Sequence, residues 1–401
     1  MSNKMELYGV IAEYNPFHNG HQYLLEQARA AGATHIAAVM GGNFTQRGEA
    51  AVMQKAARVR SALLGGVDLV LELPLPWAAS TAERFALGGV SILHGLGCVS
   101  KLTFGSECGD CSSLLQAAQA VEHPLVQEQL SAILSTGTSF AAAREEAVRR
   151  IFGSSAAVPL RTPNDILGVE YCKALLRLAS PIIPFPIRRL GAPHDGMALQ
   201  NGYASSTYLR HMLQKFGTLS PSVPNTTEQI WLEEKAAGRA PVFTESLEKP
   251  ILSRLRAMTL KDFFSLPDLS EGLENRLYRA VRRAVSLEQI YLLAKTKRYS
   301  LARIRRLVLY AFLGIKKDDF FTAPPYIRVL GANTRGWEIL TTAKRTATLP
   351  IVCRTREIMR LGEAAKRILA LESLSADLYA LGMPEPLPCG EDLRRGVLSL
   401  P

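Results

Sequence analysis

The run from Leu7 to Leu24 constrains this chain more than any other stretch. Leu7 to Ala12 is a short apolar segment, which fits a strand buried on both faces of a parallel sheet. Glu13-Tyr14-Asn15-Pro16-Phe17 has turn-forming composition. His18-Asn19-Gly20-His21 then leads into the helical spacing of Tyr23, Leu24, Leu25 and Ala28. Two histidines three apart therefore stand where a strand hands over to a helix. A helix N-terminus offers unpaired N–H groups and a partial positive charge, a combination suited to phosphate. Gly20 removes a side chain that would obstruct close approach, and both imidazoles can face one anion. An isolated pair at this spacing could equally be metal ligands or a core pair; the strand–loop–helix context favours the anion site.

The pattern that follows repeats strand and helix. His35 to Met40 predicts a second strand, and a polar loop with Gln46, Arg47 and Gly48 leads to a helix over 53–64. Val67 to Leu73 predicts a third strand and Ser100 to Phe104 a fourth, with a helix near 80–93 between them. Residues 112–178 read as largely helical, and Ile182 to Leu190 as a fifth strand despite Pro184 and Pro186. Strands separated by helices imply βαβ crossovers and an α/β fold with a doubly wound parallel sheet. Ligands of such sheets lie beyond the carboxyl ends of the strands. Both His18–His21 and Gly105-Ser106-Glu107 fall at such ends. Asn164 and Asp165 suit a helix N-cap, as do the hydroxyls of Ser205-Ser206-Thr207, with Arg210 in the following first turn.

Charge divides the chain unevenly. Residues 1–180 hold 14 Lys and Arg against 15 Asp and Glu, whereas 181–401 hold 33 against 21. The net charge of +11 thus belongs to the second part, which suits a polyanionic partner. Nine cations stand between residues 279 and 306: Arg279, Arg282, Arg283, Lys295, Lys297, Arg298, Arg303, Arg305 and Arg306. Glu288 is the one acid among them, and Tyr278, Tyr291 and Tyr299 are interleaved. These helices are either a solvated face or a phosphate-backbone surface. Residues 220–250, rich in Pro, Thr and Glu, read as a linker or irregular crossing segment, and 251–315 as several helices. A boundary is expected at 218/219, separating a catalytic domain (1–218) from a basic, mostly helical C-terminal region (219–401). Six cysteines form no disulfide framework, and Cys108/Cys111 lack a second pair to complete a zinc site, so no metal site is expected. With no leader and no long apolar run, the expectation is a cytoplasmic chain without membrane contact.

His18-x-Gly20-His21 after a first strand resembles the HxGH motif of the nucleotidyltransferase superfamily, which includes class I aminoacyl-tRNA synthetases. The longer string from Glu13 to His21 resembles more specifically the bacterial tRNA(Met) cytidine acetate ligase family. This resemblance implies a Rossmann-like ATP-binding domain. It also implies a reaction in which ATP and acetate give acetyl-adenylate and pyrophosphate. The acetyl group then passes to N4 of the wobble cytidine of elongator tRNA(Met). ATP with Mg2+, acetate and that tRNA would be the partners, and neither acetyl-CoA nor DNA.

Carried over by residue, the resemblance places Ile11, Ala12, Glu13, Tyr14, Asn15, Pro16, Phe17, His18, Asn19, Gly20, His21, Gln22, Tyr23 and Leu24 on ATP. Gly105, Asn164 and either Arg188 or Arg189 would complete that site. His18 and His21 would be the catalytic pair. Ser205, Ser206, Thr207 and Arg210 match the triphosphate-binding (I)SSTxxR element of the wider superfamily, and the nine cations would meet tRNA. Two other readings stay open: a small-molecule adenylyltransferase, and a non-catalytic tRNA-binding protein on an HxGH scaffold.

Overall fold

Strand residues of the first 75 positions alternate between two apolar environments. Leu7, Ile11, Ala37, Val39, Leu69 and Leu71 face one buried cluster, while Tyr8, Val10, Ile36, Ala38, Met40 and Val70 face another. Period-two alternation with both faces apolar makes a sheet covered on both sides. In the computed structural model, which describes residues 5–190, 203–219, 221–270, 272–297 and 299–401, that sheet has eight strands. They are β1 (Leu7–Ala12), β2 (His35–Gly41), β3 (Leu69–Leu73), β4 (Lys101–Ser106), β5 (Ile183–Arg188), β6 (Ile327–Ala332), β7 (Ile351–Val352) and β8 (Leu398–Ser399). Their order is β5-β4-β1-β2-β3-β6-β7, with β8 beside β6. Every pairing is parallel except β3 with β6. The chain winds outward through β2 and β3, then returns to place β4 on the other side of β1. The β1/β4 junction is therefore the topological switch point, where such sheets open a crevice.

Helices α1 (Asn19–Ala30) and α2 (Lys55–Leu64) cover one face near β1 to β3, where Leu25, Ala28, Val59, Ala62 and Leu63 are buried. Helices α3 (Leu75–Ala78), α4 (Ala82–Leu96), α5 (Cys111–Glu122), α6 (Pro124–Ser135), α7 (Phe140–Phe152), α8 (Ser154–Ala157) and α9 (Pro163–Arg177) follow, most of them packed on the opposite face. After β5 come α10 (Ser206–Phe216) and α11 (Asn225–Ala236). The latter corrects the linker expectation for 220–250. Its composition is polar, but Thr227, Ile230, Trp231 and Glu234 form one buried helical face against α2 and its approach.

Helices α12 (Glu248–Ala257), α13 (Leu260–Phe264), α14 (Leu273–Arg283), α15 (Leu287–Ala294) and α16 (Leu301–Leu313) build a separate apolar cluster. The chain then re-enters the sheet through β6, with α17 (Thr334–Thr346), α18 (Thr355–Ile358), α19 (Glu363–Ala380) and α20 (Glu391–Arg394) around the last strands. A boundary at 218/219 thus cuts across one sheet and one core, because Tyr326, Ile327, Val329, Ile339 and Ile368 share a cluster with Leu7 and Leu69. The helical insertion between β5 and β6 adds a cluster of its own, which Phe44, Leu75, Leu371 and Tyr379 join to the rest of the protein.

A buried ionic network fastens this return. Lys55 Nζ lies 2.5 Å from both Glu72 and Asp392 and 3.7 Å from Glu372. Arg328 Nη1 pairs with Asp392 at 2.7 Å and Glu72 at 3.2 Å. The Leu75 N–H donates to Glu372 at 2.5 Å. Burial, and then the nearby Glu72 carboxylate, push the Glu372 carboxyl up to about 8. Burial also opposes ionisation of Asp392, but Lys55 and Arg328 outweigh it and hold that carboxyl below its usual range.

Candidate active site

His18 is the N-cap of α1, and its ring does the capping: Nδ1 accepts the Gly20 N–H at 3.1 Å. The His18 N–H in turn donates to His21 Nδ1 at 3.2 Å, so the two histidines form a reciprocal capping box. These bonds fix the tautomers. With each Nδ1 accepting, the neutral ring holds its proton on Nε2. The rings stack with centroids 3.7 Å apart, and Nε2 of His18 reaches the Ser206 hydroxyl at 3.0 Å. Burial first, then His18 and Arg189, lower the His21 pKa well below the usual imidazole value, so His21 is a neutral donor. Among the described residues no third His, Cys, Asp or Glu joins them as a metal-binding group.

The free N–H groups expected at this helix start are already engaged. Asn19 donates to Ser222 O at 3.1 Å, Gly20 to the His18 ring and His21 to His18 O at 2.8 Å. The helix end that does present them is α10. There Ser205 Oγ receives the Tyr208 N–H at 3.0 Å, while the N–H groups of Ser206 and Thr207 have no partner among the described residues. Gly20 also has a reason beyond ligand approach: a Cβ there would stand 3.0 Å from the His18 ring.

Two adjoining clefts open at the switch point, with about 900 and 1180 Å³ of empty space. His18, His21, Asn164, Tyr171 and Arg189 border both, which makes them one continuous site. The first is mainly apolar, lined by Val10, Tyr23, Leu24, Phe104, Gly105, Ile187 and Tyr203 among others. The second is polar, with Glu13, Asn15, Thr45 to Arg47, Glu49, Ser205 to Thr207 and Arg210. Arg188 borders only the first, whereas Arg189 faces both. Gly105 gives Arg189 room, since a Cβ there would stand 3.2 Å from its Cγ.

Of the residues expected on ATP, Ile11, Ala12, Glu13, Tyr14, Asn15, His18, Gly20, His21, Tyr23 and Leu24 line the site. Pro16, Phe17, Asn19 and Gln22 do not. Phe17 is fully buried with Tyr14 and Leu25, and Gln22 pairs with Glu26 at 2.9 Å on the outer face of α1. Asn164 is oriented by Glu107 at 2.6 Å. Asp165 ties the β4 loop to α9 by accepting from Ser106 Oγ at 2.5 Å and Glu107 N at 2.9 Å. Arg210 donates to Asn15 O at 3.4 Å and to Thr207 Oγ1 at 3.3 Å.

Sequence reasoning missed Arg58, which is 1% exposed. Its guanidinium gathers the carbonyls of Glu13 at 2.6 Å, Gly41 at 3.2 Å, Gly42 and Met53. It therefore clamps the loops leaving β1 and β2, and burial lowers its pKa to about 10. The only signal in the sequence is an arginine among the small and apolar residues of α2.

The basic stretch divides. Arg279, Arg283, Lys295 and Lys297 are exposed, and Arg276, Arg279 and Arg283 border one groove on α14. Arg282 is exposed as well, although backbone carbonyls use its guanidinium, and Arg303, Arg305 and Arg306 are built into the protein. Arg303 donates to Asp268 O at 2.7 Å, and Arg306, 7% exposed, lies 3.5 Å from the Asp268 carboxylate. Arg305 pairs with Glu49 of the polar cleft, and Arg282 donates to Arg256 O and Met258 O. Arg298 lies outside the described residues.

Comparison with known proteins follows this geometry. Residues 5–390 match the HIGH nucleotidyl transferase family model. The tRNA(Met) cytidine acetate ligase of Acetivibrio thermocellus is 37% identical over 99% of this chain and 100% of that protein. That of Caldanaerobacter subterraneus is 38% identical over 94% of this chain and 95% of its own. The crystal structure of Thermotoga maritima TmcAL superposes with a TM-score of 0.94 at 33% identity, covering 99% of this chain and all of that one. A second crystal form of that protein, bound with alpha-thio ATP, gives 0.92. The chain belongs to the HIGH nucleotidyl transferases and, within them, to the tRNA(Met) cytidine acetate ligase family.

Proposed function

We propose that this protein activates acetate with ATP and transfers the acetyl group to N4 of the wobble cytidine of elongator tRNA(Met). The observation that supports this most is one cleft at the β1/β4 switch point bordered by His18, His21, Asn164, Arg189, Ser206 and Arg210. It occurs in a chain related over its whole length to ligases of that name, one of whose structures is described as bound to an ATP analogue. Adenosine fits the apolar cleft, and the triphosphate of magnesium-ATP runs into the polar one. Acetate attacks the α-phosphorus, and charge grows on the phosphoryl oxygens. The His21 Nε2–H donates to those oxygens as a neutral, preorganised dipole, and the His18 Nε2–H joins it by exchanging its bond to the Ser206 hydroxyl for one to the substrate. The Ser206 and Thr207 N–H groups, with Arg210, receive the departing pyrophosphate. The amine then attacks the mixed anhydride, with AMP as leaving group, so the second step needs alignment above all.

Incubating the protein with ATP, labelled acetate and total bacterial tRNA tests this. Label should enter tRNA while AMP and pyrophosphate form. Transfer from acetyl-CoA in the absence of ATP would overturn the proposal.

A further inference from the structure

We propose that Glu13 is the proton acceptor of the second half-reaction, taking a proton from the cytidine N4 amino group as it attacks the acetyl carbon. This rests on the acetyl-transfer function argued above. Glu13 lines the polar cleft and not the apolar one. Its Oε1 receives the Gln46 N–H at 2.6 Å, and Oε2 has no hydrogen-bond partner among the described residues. Arg58 holds its backbone carbonyl at 2.6 Å, five residues before His18 on the same loop. Glu49 is the other carboxylate bordering this cleft, and Arg305 and Arg210 occupy it.

The polar wall also leads toward the basic helices. A Cβ on Gly48, in the loop that holds Glu13, would stand 2.7 Å from Arg306 N. A nucleotide held by the helical insertion enters the polar cleft past this loop, beside Glu13. The exocyclic amine of cytosine shares its lone pair with the ring, so it becomes a competent nucleophile only as it loses a proton. In the step proposed, the N4–C bond forms and the bond from the acetyl carbon to the adenylate oxygen breaks. AMP leaves with that electron pair, and the N4 proton passes to Oε2 and then to water.

Burial raises the Glu13 carboxyl above its ordinary value, against the Gln46 N–H, Arg210, Arg58 and Arg47, which makes it a stronger base than an exposed carboxylate. His18 and His21 from α1, Tyr171 from α9 and Glu49 from the 45–49 loop complete the groups around it.

Glu13→Gln and Glu13→Asp in the full chain test the assignment. Trapping acetyl-adenylate with hydroxylamine reads the first step, and transfer from synthetic acetyl-adenylate to tRNA reads the second. In Glu13→Gln, transfer should fall about 10²-fold further than adenylate formation does. The acid limb of the transfer pH profile should vanish, and Glu13→Asp should restore part of the rate. Equal losses in both steps would assign Glu13 to holding the Gln46 loop and overturn the proposal, as would undiminished transfer in Glu13→Gln. A parent protein that forms no hydroxamate would instead refute acetate activation, and transfer from supplied acetyl-adenylate would still judge Glu13.

Discussion

His18 at the strand-end cleft and Arg306 on α16 are both nearly buried polar residues, 6% and 7% exposed, and both stand out in the sequence. His18 finds its capping partners within three residues, in Gly20 N and the His21 ring, while its Nε2 reaches a remote group, the Ser206 hydroxyl. Arg306 finds its partner in Asp268, 38 positions away on another element. A motif whose bonds are local reports its own geometry from spacing alone. A run of cations reports only that charge is present, because distant carboxylates and carbonyls decide which guanidinium groups remain for a ligand. The same contrast separates Arg279 and Arg283, which border an open groove, from Arg303 and Arg305, which neighbouring elements have taken.

The largest effect should come from the local motif. Alanine at either His18 or His21 should lower acetyl-adenylate formation on the order of 10²-fold or more, the scale for removing one preorganised donor. Binding of tRNA should change little. The histidines also cap α1, so thermal melting must accompany the rate: a loss of about 1 kcal/mol is expected for a missing cap. Near-normal adenylate formation in both variants would show that the imidazoles serve the helix alone.

The basic helices give the next effect and the sharper contrast. Charge reversal at Arg279, Arg283, Lys295 and Lys297 together should weaken tRNA binding and flatten its salt dependence by about one slope unit per lost phosphate contact. Adenylate formation should persist. Replacing Arg303 and Arg306 with methionine should do the reverse, leaving the salt slope in place and lowering stability. Removing one partner of a fully buried pair costs about 3–5 kcal/mol, and less is expected here because the Asp268 side chain is 28% exposed. If both sets flatten the salt slope equally, the division of these arginines is wrong.

How much could be read beforehand follows the same line. The five parallel strands, the His18–His21 pair and the Ser205–Arg210 element are legible, because alternation, capping and turn chemistry act over a few residues. The N-cap expected at Asn164 or Asp165 is instead Thr162, and both residues lie inside the first turn, bonded to the β4 loop. Of the two helix starts expected to offer free N–H groups, only α10 does so among the described residues: backbone contacts such as Asn19 N to Ser222 O close α1 from 203 positions away. The antiparallel return of β6 and the clamp made by Arg58 were equally hidden. Their partners lie on other loops, and an arginine in a helix looks the same exposed or enclosed. Helix α11 is masked by the Pro-, Thr- and Glu-rich composition of the 220–250 stretch around it, although its buried face keeps helical spacing.

The smallest effect tests remote satisfaction where it is most complete, in the network around Lys55. Glu372 releases its proton near 8 in the folded protein, against an ordinary 4.5, so the folded state binds more protons between those values. Its contribution is fully present below pH 4.5 and is lost as pH rises through 8, with a slope of at most about 1.4 kcal/mol per unit. His21 acts in the opposite sense. Its depressed pKa contributes above the ordinary 6.5 and is lost as pH falls, so it adds no slope above that value. Asp392, also depressed, is constant there too. Between pH 6.5 and 8.5 the difference in melting temperature between the parent and Glu372→Gln therefore isolates Glu372. The parent should lose stability against the variant by about a few degrees across that window. Glutamine keeps an oxygen for the Leu75 N–H, so the variant should fold normally at pH 6.5. Parallel melting curves would show that Glu372 is already ionised, and that Lys55 and Arg328 accommodate all three carboxylates as charges.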